Sequence, residues 1–64
     1  MSVYVTVELC QGIVAEACVF LSRQGAKEQE GRWLAEHDIC TREDREAKAA
    51  NGNEFHLIEA ELKP

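Results

Sequence analysis

The chain has 64 residues, with seven basic side chains against twelve acidic ones and a net charge of −5. One domain, residues 1–64, is all this length supports, and a chain so short buries only ~60% of its unfolded surface, so it needs a staple or a partner. The acidic balance excludes direct nucleic-acid binding as the expected role, because that affinity comes from Lys and Arg neutralising phosphates.

Residues 4–21 have the pattern of a β-hairpin. Val3, Val5, Val7 and Leu9 alternate with Tyr4, Thr6 and Glu8, a period of two with β-branched residues. The following run offers an uncharged set, Ile13, Ala15, Ala17, Val19 and Leu21, and a mixed set, Val14, Glu16, Cys18 and Phe20. The uncharged set is expected in the core beside the valines. Directly opposed residues share a face, so this arrangement requires a loop with an odd number of residues. The loop Cys10-Gln11-Gly12 fits, with Gly12 taking the left-handed position. The resulting pairs are Leu9–Ile13, Val7–Ala15, Val5–Ala17 and Val3–Val19. A two-residue turn would instead oppose Glu16 to Val7, inside the core.

Ser22 is a candidate N-cap, and a helix is predicted from 23 to about 37. Ala26, Trp33, Leu34 and His37 fall on one side of it, though Glu30 does too, and Gly25 and Gly31 weaken it. Tertiary packing must therefore hold this helix, with Trp33 as its anchor. Ile39 is expected to tuck inward. Thr41 and Asp44 have capping-box spacing, and a polar, solvated helix should follow over 42–50 and stop at Asn51-Gly52. A last strand, 54–62, should place Ile58, Ala60 and Leu62 on the core face and Phe55, Leu57, Glu59 and Glu61 on the other. The predicted fold is α+β, in the order ββααβ. Its three-stranded antiparallel sheet has strand order 2-1-3, with the helices on one face.

The cysteines number three, so they cannot all pair as disulfides. Cys10 and Cys18 are also expected roughly 20 Å apart at ~3.3 Å per residue, beyond disulfide reach. Reduced thiols, with no signal peptide and no bilayer-spanning apolar run, point to the cytoplasm and to no membrane partner.

Three constellations bear on chemistry. His37 and Cys40 stand three apart, but zinc needs two further ligands. Asp44, Glu46 and Lys48 have an acidic-x-Lys spacing, yet on a polar helix these are ordinary solvated charges. Cys18 and His56 could act as a thiol–base pair only if the last strand had the opposite parity. No catalytic residue, metal or cofactor is therefore expected, and the chain is read as a non-enzymatic protein.

The charges carry the functional expectation. Residues 1–21 and 49–62 contain no Lys or Arg, whereas 23–48 mixes both signs. In the expected register Glu8, Glu16, Glu59 and Glu61 project from the sheet face that the helices leave open, among Tyr4, Val14, Cys18, Phe20, Phe55 and Leu57. Tyr4, Glu8, Glu16, Phe20, Glu59 and Glu61 are accordingly the candidate partner-binding residues. A single-sign field of this kind steers an oppositely charged partner. The alternative is that these glutamates only keep the sheet soluble and its edges unpaired.

In size, acidity and lack of catalytic motifs, the whole chain resembles the small acidic inhibitor proteins encoded by phages, of the anti-CRISPR and anti-restriction type. No diagnostic motif is shared, so no functional residue transfers. The resemblance implies an inhibitor acting in the host cytoplasm. It would dock carboxylates, as a DNA mimic does, on a larger basic protein or nucleoprotein complex. The second expectation is a self-associating structural module, a homodimer in which Tyr4, Phe20, Phe55 and Leu57 meet their symmetry mates.

Overall fold

A computed structural model describes residues 1–63. The order is β1 (Ser2–Cys10), β2 (Ile13–Phe20), α1 (Arg23–Glu36), α2 (Arg42–Ala50) and β3 (Asn53–Glu61). The strands form one antiparallel sheet in the order β2-β1-β3. The expected α+β architecture is therefore the observed one.

The local signals act as their chemistry requires. The Ser22 hydroxyl accepts the Gly25 N–H at 3.2 Å and starts α1. The helix ends with Asp38 left-handed at φ 54°. The N–H groups of Asp38 and Ile39 then return to the carbonyls of Ala35 and Leu34, at 3.2 and 2.9 Å. These two bonds make a Schellman motif. Thr41 and Asp44 form a full capping box, each side chain accepting the other's backbone N–H, at 3.1 and 3.2 Å. At the far end of α2, Gly52 turns the chain at φ 90°, and its carbonyl accepts the Gln11 N–H at 2.6 Å. That bond ties the hairpin turn to the connection between α2 and β3.

The hairpin differs from expectation in its turn and register. Its loop has two residues, Gln11 and Gly12, at φ 52° and 80°. Both angles are positive, as a type I′ turn requires, and this turn matches the twist of the strands it joins. The clash of faces that argued against it is removed by a β-bulge. Glu8 pairs with Glu16 and Leu9 with Val14, so Ala15 is the extra residue. Beyond the bulge the pairs are Val7–Ala17 and Val5–Val19, two residues along from the expected set.

The larger correction concerns which face the helices cover. Trp33 of α1 packs on Phe55 of β3, with ring centroids 5.4 Å apart, and on His37 at 4.8 Å. The Arg45 guanidinium of α2 lies 5.7 Å over the same indole and donates to the Phe55 carbonyl at 3.1 Å. The buried residues are Val3, Thr6, Ala26, Trp33 and Phe55. Val3 apart, the core therefore lies between the helices and the face of Tyr4, Thr6, Phe20, Phe55 and Leu57. The valine face, expected inside, is bare. Ile13, Val19, Leu21, Ile58 and Leu62, all assigned inward from the sequence, are exposed. The physical reason is volume. Trp33 carries most of the apolar bulk of the helix layer, and the large Phe55 ring on this face meets it with more surface than the Val and Ala side chains opposite could offer.

Candidate functional site

The six candidate partner-binding residues lie on the helix-covered face, divided between its two ends. At one end Tyr4 pairs with Phe20 on one side and Glu59 on the other. Arg23, the first residue of α1, folds back over this row. Its guanidinium lies 5.8 Å from the Tyr4 ring centroid and 3.2 Å from the Glu59 carboxylate. Phe20 sits so close under Gly25 that a Cβ there would lie 3.1 Å from its ring. At the other end Glu8 and Glu16 oppose each other and share a depression with Gln29, Arg32 and Glu36 of α1. Glu61 is exposed near the end of β3, opposite Ser2. The open acidic face expected from the sequence is thus not present: α1 occupies it and brings Arg23 and Arg32 with it.

Electrostatics follow from this packing. Burial pushes the Glu8 carboxyl above the ordinary carboxylate range. The charges of Glu16 and Glu36 act in the same direction, against His37. The Cys18 thiol donates to the Glu16 carboxylate at 3.3 Å, and this bond is the main reason its pKa is raised. A thiol held protonated in this way is a poor nucleophile. His56 cannot assist it: Cys18 pairs with Thr6 and His56 with Val7, which point to opposite faces. Asp44 is held below the usual range by the N–H groups of Cys40 and Thr41, so its carboxylate is committed to the cap. Among the described residues no group of three or more His, Cys, Asp or Glu could hold a metal ion.

The opposite face is built in cross-strand rows. Val19, Val5 and Ile58 form one row, Ala17, Val7 and His56 the next, and Val14, Leu9 and Glu54 the third. Val19 is 66% exposed, Ile58 52% and Val14 57%. Leu21 and Leu62, just beyond the strand ends, are also exposed, while Val3 is the one buried residue of this face. The only ionisable groups in these rows are Glu54 and His56, 3.5 Å apart at one end. Period-two alternation placed Val5, Val7, Leu9, Ala17, Val19 and Ile58 together correctly, but near the turn the bulge at Ala15 exchanges two residues: Val14, expected on the other face, lies here opposite Leu9, and Ile13, expected here, lies opposite Cys10. What it could not supply was the cover, which the sequence reading gave to the helices.

No protein-family model, curated protein or solved structure matches this chain. Among the described residues no helix is long and apolar enough to cross a membrane.

Proposed function

We propose that this chain is a non-enzymatic binding module that works through its open sheet face. The observation that carries the reading is the run of Val14, Val19 and Ile58, each more than half exposed on one nearly uncharged surface. With Leu21 and Leu62 this makes an apolar patch on the order of 500 Å², at the top of the range that soluble monomers leave bare. The partner contact is therefore chiefly apolar and insensitive to salt. The free cysteines fit a reducing compartment, so the module belongs in the cytoplasm, or in a host cytoplasm if it is phage-encoded.

A second reading keeps the inhibitor role, with a larger basic protein or nucleoprotein complex as partner. Its support is that Glu16, Glu59 and Glu61 remain exposed although α1 crosses their face. Salt separates the two readings, because exposed charge pairs are screened and apolar contacts are not. Capture experiments with the wild type, Ile58→Lys and Glu16→Lys at low and high salt make the test. Partners lost with Ile58→Lys and retained at high salt support the open face. Partners lost with Glu16→Lys and released by salt would return the binding site to the carboxylates.

A further inference from the structure

We infer that the occupant of the open face is a second copy of this chain, stacked sheet on sheet with the strands of the two copies antiparallel. This rests on the reading of that face as the binding surface, and it specifies the partner.

Sidedness of charge is the first argument. Glu8, Glu16, Glu59 and Glu61 all belong to the helix-covered face: Glu8 opposes the buried Phe55, Glu16 opposes Glu8, Glu59 opposes Tyr4 and Glu61 opposes Ser2. Two copies meeting through their valine faces turn these carboxylates outward, with two sheets between them. They are then more than a Debye length of ~8 Å apart, so a net charge of −5 on each copy does not oppose contact. A basic partner would find little on this face to pair with.

Area is the second. Three strands ~4.8 Å apart and eight or nine residues long cover roughly 14 by 30 Å in projection. Side-chain relief raises the surface removed from water to about 600 Å² per copy, or about 1,200 Å² in all, the lower end of specific interfaces. Small side chains in regular rows suit packing at the ~10 Å separation of stacked sheets.

Orientation follows from Glu54 and His56. A two-fold axis along the strands would bring the two Glu54 side chains to the same end. An axis across the strands, in the plane of contact, places Glu54 and His56 over the Ala60 and Leu62 end of the other copy. The second arrangement is isologous and keeps like charges apart.

The test is sedimentation velocity of the full chain from low to high micromolar concentration, comparing the wild type, Ile58→Lys and Glu16→Lys. The wild type and Glu16→Lys should reach twice the monomer mass, and Ile58→Lys should stay monomeric with unchanged circular dichroism. The dimer should weaken about 100-fold or more, because a two-fold interface loses the contact twice. Val19→Lys gives the same readout if Ile58→Lys fails to fold. A wild type that is monomeric throughout overturns the inference. So does a dimer that survives Ile58→Lys, since Ile58 lies on β3, away from the free edge of β2, and a pairing of β2 edges would not involve it. A monomeric wild type whose other partners are still lost with Ile58→Lys removes the second copy and leaves the binding face standing. If Ile58→Lys changes neither mass nor capture, both fall.

Discussion

Glu8 and Glu16 sit directly opposite each other on β1 and β2, and like charges in that position cost about 0.2–1 kcal/mol. Glu8 is partly shielded from water by α1, and its raised pKa records the strain. A carboxyl whose folded pKa lies above its unfolded value favours the folded state when protonated. Its contribution is complete below the ordinary Glu pKa and is lost as pH rises through the folded value. Glu8→Gln should therefore stabilise the chain at pH 7 by a few tenths of a kcal/mol. The gain should vanish near about pH 3, where wild-type Glu8 is already neutral. Urea denaturation at the two pH values checks this, and an equal effect at both would show that the charge is not the cause. Asp44 has the opposite sign. Its lowered pKa gives stability above the ordinary Asp range that is lost as pH falls through the folded value.

At the scale of elements, α2 contains no buried residue, so its cap matters more than its packing. Thr41→Ala removes one half of the capping box and should cost about 1 kcal/mol. Arg45 is the main link from α2 to the rest, through Glu30 and the Phe55 carbonyl at 3.1 Å each. Hydrogen exchange should therefore quicken across α2 and leave the β1 amides protected. An equal loss in both would show that α2 and the sheet unfold as one unit. The N-caps at Ser22 and Thr41 and the helix bounds were legible in the sequence, because each rests on signals a few residues apart, and the strand order followed from placing the most apolar strand at the centre. The turn was not. Gln11 adopts a left-handed angle that its residue type rarely takes, and Ala15 carries no mark of a bulge. The choice of face was not legible either, because it is a tertiary contest. Counting charges favours burying the valines, whereas filling the space under Trp33 favours Phe55, Leu57 and Thr6. The second effect wins, and the candidate site moves to the other side of the sheet.

Taken whole, the molecule is a slab of 39 × 22 × 15 Å with one sheet, one helix layer and few fully buried side chains. Its core is one-sided: Trp33 and Phe55 fill the space beneath the helices, while Val19, Ile58 and Val14 face outward. A domain of this size has a total stability of roughly 3–10 kcal/mol, so the gross gain from covering a patch on the order of 500 Å² is comparable with the whole of it. If a second copy supplies that cover, folding and association are linked, and stability becomes a function of protein concentration. Each tenfold rise in concentration then adds about 1.4 kcal/mol to the dimer, which moves the melting temperature of so small a domain by several degrees. Thermal melts of the wild type over a hundredfold range should show this upward drift. Melts of Ile58→Lys should coincide at every concentration, because a monomer has no association term. A concentration-independent wild type that is nonetheless well folded would mean that the helix side alone sustains the fold, and the valine face would then have to be explained by a partner other than the chain itself.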